Sequence, residues 1–282
     1  MSFYKEVRAR YSQVHSLAKR SVRNAEKKSE ATYPRELKYD MDKTKIEDTI
    51  ELGTIKIPVS QIIGTAAFDE KDLYSPEFMP VSSANSPFAD QWCQLYMDYL
   101  TDKGWDSPIR CIEYLGRFYV QDGKKRVSVL KAHGAYTTEA IVTRIVPAVS
   151  EDEATQRYNE FLKDYKITGL YQTAFTQPGG LAKLQTALGF EENHVWNDQD
   201  RFGFLFNLLP VEYALRRAFG GHLNITAADA LLVLLEEYSY REIRKMQPWD
   251  LTKVFQNAWV KLYKVLDPNF EPSSVGTAKK IA

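Results

Sequence analysis

Hydrophobic side chains recur at three- and four-residue steps along the first 30 residues, a stretch without glycine or proline. This spacing predicts one amphipathic helix over residues 1–30. Its apolar stripe, which needs a packing partner, consists of Phe3, Val7, Tyr11, Val14, Ala18, Val22 and Ala25. The periodicity is lost from 31 to 52, where Tyr33 and Pro34 precede a mixed-charge run, and we predict a linker there.

Short β-type runs bounded by turn residues follow over residues 53–148. A helical turn is predicted at 60–64, and longer helices at 87–104 and 124–133. Strands are predicted at 54–57, 109–114, 117–120 and 139–146. These elements indicate a small mixed α/β module.

Helix-length segments dominate from residue 149 to about 270. They are predicted at 151–165, 180–188, 201–219, 226–238 and 251–266. Gly203 and Pro210 lie inside the third segment, where we expect a break or kink. The leucines near 231 and the run 202–209 are expected to fill a bundle core, and residues 271–282 to form a frayed tail. The fold class expected is α+β: an N-terminal helix, a mixed-sheet module and an all-helical second half.

Composition indicates a globular protein but does not indicate a binding partner. The 282 residues are 44% hydrophobic and 26% charged, a globular profile, and 37 basic residues balance 37 acidic ones. No apolar run approaches the ~20 residues of a membrane helix, and no signal-peptide core is present, so we expect no membrane partner and a cytoplasmic location. The two cysteines, Cys93 and Cys111, are too few for a disulfide framework.

Positive charge is concentrated in the first 30 residues, which hold eight basic and three acidic residues. Two interpretations stay open. The helix could be a basic arm that touches DNA phosphates, or it could simply pack on the protein body or on another subunit.

The strongest chemical signal is a strand that leads through Asp122 and Gly123 into a helix beginning Lys124-Lys125-Arg126. Free backbone N–H groups, the positive end of the helix dipole and three fixed cations meet there, which is how proteins hold phosphate. Neither common phosphate signature is present, because the chain lacks both Gly-x-x-x-x-Gly-Lys-Ser/Thr and Gly-x-Gly-x-x-Gly at this point. A purely structural Asp-Gly turn is the alternative.

The residues around this turn resemble the ParB/sulfiredoxin-like superfamily. The resemblance lies in residues 57–65, Phe78-Met79-Pro80, Gln91-Trp92, Pro108-Ile109 and, most specifically, 116–134 with its Asp-Gly-x-x-Arg motif. It covers about 57–148, a third of the chain. It implies a small mixed sheet with flanking helices that binds a nucleotide, CTP or ATP/ADP with Mg²⁺, against the turn and helix.

Carried over by position, the resemblance implies a ligand site. Asp122 and Gly123 would form the turn, the amides of Lys124 and Lys125 would face the phosphate, and Arg126 would contact it in bidentate fashion. The remaining implied contacts are Gly64 and Thr65 across the pocket, and Ser128 on the helix. Lys125 replaces the histidine usual in this family, so acid/base roles of that histidine do not transfer. The reactive cysteine of sulfiredoxin is absent from the turn, which argues against sulfinic-acid repair.

Phosphoryl transfer would in addition need a carboxylate to orient the acceptor, and Glu113 and Asp122 are the candidates. For Glu113 the alternative is a solvent-facing strand residue. The histidines show no metal-ligand spacing, so no metal site is assigned. We therefore expect a ParB-like nucleotide- or phosphate-binding protein that is DNA-associated or regulatory and could form homo-oligomers. The alternatives are a phosphotransferase resembling the free-serine kinases and a non-catalytic interaction scaffold.

Overall fold

A mixed sheet and many helices confirm the α+β class. The computed structural model describes residues 3–41, 45–66, 69–101, 103–191, 194–220, 223 and 225–272. The chain divides into two compact units, Met1–Ser150 and Glu151–Ala282, two residues beyond the predicted boundary. Across the described ranges, no helix has both the length and the apolar character needed to cross a membrane.

The first unit contains a six-stranded sheet in the order β1-β3-β5-β4-β6-β2. Its strands are β1 (Arg35–Glu36), β2 (Ile46–Pro58), β3 (Ile62–Thr65), β4 (Ile109–Tyr114), β5 (Arg117–Asp122) and β6 (Thr137–Pro147). β1, β3 and β5 run parallel to one another, as do β4 and β6, whereas β4/β5 and β2/β6 are antiparallel. The helices are α1 (Phe3–Lys28), α2 (Pro87–Leu100) and α3 (Lys124–His133).

The segment predicted as a linker, 31–52, is partly β-strand in the structure. β1 and the first half of β2 lie inside it, and residues 42–44 lie outside the described part of the chain. The predicted strand 54–57 lies within the second half of β2. The first half escaped the prediction because β2 is an edge strand whose two faces are exposed along most of its length, so this part lacks an alternating apolar pattern. The helical turn predicted at 60–64 is likewise mostly strand β3, because parallel pairing with β5 holds it extended.

The apolar stripe of α1 packs within the first unit, on α2. Val7, Tyr11 and Val14 are buried in one cluster with Phe88 and Trp92. The Tyr11 and Trp92 rings meet edge to face, with centroids 5.3 Å apart. Since ordered aromatic pairs of this kind add stability beyond area burial, α1 is an integral part of the unit.

The second unit is all-helical. Its helices are α4 (Glu153–Thr168), α5 (Gly180–Leu188), α6 (Asp198–Phe219), α7 (Ala227–Leu235), α8 (Tyr240–Ile243), α9 (Pro248–Asn257) and α10 (Trp259–Leu266). The core includes Leu231 and Leu234 on α7 and Phe255 on α9, in agreement with the predicted bundle. Most of the predicted tail, 273–282, lies outside the described residues.

α6 differs from its prediction in two ways. It continues unbroken through Gly203 and Pro210, because residues along its whole inner face are buried and this burial outweighs the ~3 kcal/mol cost of an internal proline. The run 202–209 is core only in part: Phe204 and Leu208 are buried, whereas Phe202, Phe206 and Leu209 are exposed.

Candidate functional site

α3 begins beside the carboxyl-terminal ends of three parallel strands of the sheet. Glu36 of β1 is in register with Thr65 of β3, and Thr65 with Val120 of β5. β5 ends at Asp122, and Gly123 in the left-handed conformation (φ 96°) turns the chain into α3. Clefts at the carboxyl ends of parallel strands are common ligand sites, so the sheet places the predicted turn in a suitable position.

Each of the three consecutive cations of α3 contacts a carboxylate. Lys124 Nζ lies 2.6 Å from Asp69 Oδ1, and Lys125 Nζ lies 3.6 Å from Glu70 Oε1. Arg126 Nη2 lies 2.7 Å from Asp122 Oδ2. The hydrogen bond from Lys124 holds the pKa of Asp69 below its usual value. We call these six residues the α3 site; its positive charge is balanced by acids.

Lys124 differs from its two neighbours in being buried. Its side chain is only 6% exposed, while the carboxylate of Asp69 is 68% exposed. Lys124 Nζ also donates to the backbone carbonyl of Asp69 at 2.9 Å. The ammonium group is therefore held in place, whereas its acidic partner is open to solvent and to exchange.

Arg126 has a role that the sequence did not predict. Its Nη1 donates to the carbonyl oxygens of Ser107 and Pro108, so the guanidinium group ties α3 to the residues before β4. The group lies directly over Gly123, where a Cβ atom would come within 2.9 Å of the Arg126 Nε atom. Gly123 is therefore required both by its backbone conformation and by this contact.

Gly64, Thr65 and Ser128 have internal contacts. A Cβ on Gly64 would overlap the carbonyl oxygen of Arg35, so this glycine allows β1 to approach β3. Thr65 is buried and its Oγ1 donates to the Val120 carbonyl at 3.1 Å. Ser128 is buried too and accepts a 2.9 Å hydrogen bond from Trp92 Nε1 on α2. The structure gives these three residues packing roles beside the α3 site.

Glu113 lies at the far end of β4 from the α3 site. It is in register with Phe118, four residues before Asp122 on β5, which corresponds to about 13 Å along the strand. Its carboxylate is fully buried and ion-paired with Arg144, and it accepts a 3.2 Å hydrogen bond from Gly116 N. Glu113 is thus neither solvent-facing nor near Asp122, and the two carboxylates do not form a catalytic pair.

Three acids of this region were missed from the sequence. Asp69 and Glu70 could have been found in the sequence, because they form an acidic pair a few residues after the predicted site residues Gly64 and Thr65. No sequence pattern points to Glu36, since it lies in the predicted linker. It is 3% exposed; Lys38 Nζ lies 2.7 Å from its Oε2, and its Oε1 has no hydrogen-bond partner among the described residues.

Comparisons with known proteins do not assign the chain to a family. No protein-family model matches the chain, and no curated protein matches it. In the described part of the chain, no group of three or more histidine, cysteine, aspartate or glutamate side chains is placed to hold a metal ion. A Mg²⁺ ion at the α3 site would therefore have to be held largely by the phosphates of a ligand, which is its usual mode with nucleotides.

Proposed function

We propose that the first unit is a ParB-like module that binds the phosphate groups of a nucleotide at the start of α3. One observation carries the proposal. Lys124, Lys125 and Arg126 occupy the first turn of a helix, where the dipole disfavours positive charge, and each is neutralised by an acid. Two of these acids, Asp69 and Glu70, hold their carboxylates in solvent, so an anion that replaced them would meet cations that are already in place.

In this proposal Asp69 and Glu70 occupy the place of the ligand's phosphates. Both carboxylates are exposed, and the 3.6 Å pair of Lys125 and Glu70 is a surface pair that contributes at most about 1 kcal/mol. A phosphate that replaced Asp69 would keep the buried ammonium group of Lys124 paired with an anion. A phosphate brings more charge and more acceptor oxygens than a carboxylate, and the free N–H groups of the first turn favour it. Lys124 and Lys125 would bind it, while Arg126 keeps the turn in position.

Calorimetric titration of the chain with CTP, ATP and ADP, each with and without Mg²⁺, tests this proposal. We expect binding of at least one nucleotide, lost by tenfold or more in Lys125→Gln and Lys124→Gln. Asp69→Asn should bind several-fold more tightly, because the competing carboxylate is gone. Lys103→Gln is the matched control, since Lys103 also forms an exposed ion pair in this unit, with Asp98 at 3.1 Å.

Two results would contradict the proposal. One is the absence of binding by every nucleotide to the wild-type chain. The other is a loss of affinity in Asp69→Asn as large as that in Lys125→Gln, because Asp69 would then be a ligand residue rather than a competitor. Because Lys124 is buried, its variant is interpreted only if its melting temperature stays close to that of the wild type.

The alternative, phosphoryl transfer to a small hydroxyl substrate, is favoured by Glu36 and not by Glu113. Glu36 is a buried carboxylate at the same ends of the parallel strands, and one of its oxygens has no hydrogen-bond partner among the described residues. It could orient a hydroxyl acceptor, while Asp122 at the turn would be the second acid. Incubation with labelled ATP and free serine distinguishes the two functions, since a binding module forms no phosphorylated product.

We also propose that α1 contacts DNA backbone, in a protein that works in a reducing cytoplasm. Lys19, Arg23 and Lys27 follow one another at four-residue steps and are exposed. Arg23 and Lys27 lie opposite the buried stripe of α1 and Lys19 lies on its flank, so packing on α2 leaves all three available. A row of cations on a fixed helix is suited to phosphate contacts, which carry affinity without sequence preference.

A further inference from the structure

α6 exposes a row of large hydrophobic side chains. Phe202 is 73% exposed, Phe206 65%, Leu209 40% and Tyr213 56%. The Phe202 and Phe206 rings stack on each other with centroids 6.3 Å apart. The opposite face of α6 is buried in the core of the second unit. We call these four residues the α6 stripe.

The size of the α6 stripe indicates a binding surface. With roughly 200 Å² for a whole aromatic side chain, the three rings alone expose roughly 400 Å². Contiguous apolar patches above a few hundred Å² mark interaction sites on proteins. A row of this size is typical of a surface that a partner covers.

The spacing of the stripe is that of a helix–helix seam. Its residues follow one another at steps of four, three and four, the alternation found at the a and d positions of paired helices. The pattern is also symmetric about the midpoint between Phe206 and Leu209. A two-fold axis at that point would bring Phe202 of one helix to Tyr213 of the other, and Phe206 to Leu209.

The charges of α6 complement an antiparallel copy of the same helix. The first turn is acidic, with Asp198 and Asp200, and the last turn is basic, with Arg216 and Arg217. The same two-fold axis places Arg217 of one copy opposite Asp198 of the other. Arg217 Nη1 lies 3.5 Å from the Tyr213 hydroxyl, so the guanidinium group is already beside the stripe. Antiparallel helix dipoles favour this arrangement as well.

We propose that a second copy of this chain covers the α6 stripe, with the two α6 helices antiparallel. The rings of two stripes would bury roughly 800 Å², and the flanking residues would bring the interface towards the lower limit of ~1,200 Å² for stable complexes. Interfaces near this limit are typical of transient complexes, so we expect a dissociation constant in the micromolar range. This inference is independent of the nucleotide proposal.

Light scattering of the full chain after size exclusion, from about 1 µM to about 100 µM, tests the dimer. The wild-type mass should rise to that of two chains across this range. The double variant Phe202→Ser and Phe206→Ser should stay monomeric with an unchanged circular dichroism spectrum, because both side chains are exposed. Trp249→Ser is the matched control: Trp249, on α9 of the same unit, is 61% exposed, and its loss should leave the dimer intact.

A charge exchange tests the antiparallel register. Arg217→Asp should weaken the dimer several-fold by placing two acids opposite each other, and adding Asp198→Arg should restore it. A monomeric wild type at all concentrations would overturn the proposal, as would a dimer that survives the double serine variant. A dimer lost in the serine variant but not restored by the charge exchange would overturn the antiparallel register.

Discussion

Individual residues around the α3 site show how contact partners decide a residue's role. The sequence predicted Gly64 as a ligand contact, but its lack of a side chain serves the approach of β1 to β3. Arg126 was predicted as a phosphate ligand, and in the structure its guanidinium group also ties α3 to the residues before β4. The chemical type of each residue was apparent in the sequence, whereas its partner was not.

Gly64→Ala should destabilise the first unit strongly. The new Cβ would overlap the Arg35 carbonyl oxygen and come within 2.8 Å of Tyr119 Cδ1, and backbone cannot move aside cheaply. We expect a loss of about 2–4 kcal/mol in the free energy of unfolding, measured by chemical denaturation. Gly203→Ala is the control, because nothing lies within 4 Å of its Cβ position and the substitution in a helix should stabilise by up to ~1 kcal/mol. Equal effects of the two would contradict the packing role of Gly64.

Asp164 makes stability depend on pH. Burial raises its pKa to about 6, and the neighbouring charge of Glu160 acts in the same direction. The folded chain therefore binds a proton that the unfolded chain releases between the ordinary pKa of 3.8 and about 6, so this contribution to stability falls as pH rises through that interval.

Asp164→Asn should remove this dependence. We expect the variant to be about 1–2 kcal/mol more stable than the wild type at pH 7 and to differ little from it at pH 4. Denaturation curves of both proteins at pH 4, 5, 6 and 7 measure the difference. A difference that stays constant with pH would show that Asp164 is not the group responsible.

At the scale of elements, helices were easier to predict than edge strands. α1, α3 and α5 follow from periodicity and end signals, because a helix satisfies its own backbone hydrogen bonds. The first half of β2 does not follow, since its hydrogen-bond partners on β6, such as Thr143 opposite Glu51, lie far along the chain. α6 continues through Pro210 because its neighbours bury its inner face. Tertiary packing overrode local preference in both cases.

The contribution of α1 to DNA binding is testable at this same scale. The triple variant Lys19→Glu, Arg23→Glu and Lys27→Glu should weaken DNA binding and lower the slope of log affinity against log salt by up to about three. Fluorescence anisotropy of labelled duplex DNA at several salt concentrations measures both quantities. Lys183→Glu, Lys253→Glu and Lys264→Glu together form the control, because they make the same change of net charge on exposed lysines of the second unit. An equal loss in both variants would indicate bulk charge alone, without a role for α1.

At the scale of the whole molecule, the balanced charge of the chain conceals local separation. α1 carries an exposed basic face, the α3 site neutralises its own cations, and α6 is acidic at one end and basic at the other. A dimer through α6 would place two α3 sites and two basic helices in one particle. Paired weak contacts of this kind raise overall affinity for a long polymer such as DNA without any new contact.

The sequence by itself determined the features that depend on neighbours in the chain. These are the amphipathic helix at the N-terminus, the Asp122-Gly123 turn, the cationic start of α3 and the change to an all-helical second half. Tertiary structure alone decided that Lys124 meets Asp69, 55 residues away, that Glu113 is buried against Arg144, and that Phe202 and Phe206 face outwards. The reason is physical: turns and helices are set by local backbone geometry, whereas burial and charge pairing depend on which distant segments the fold brings together.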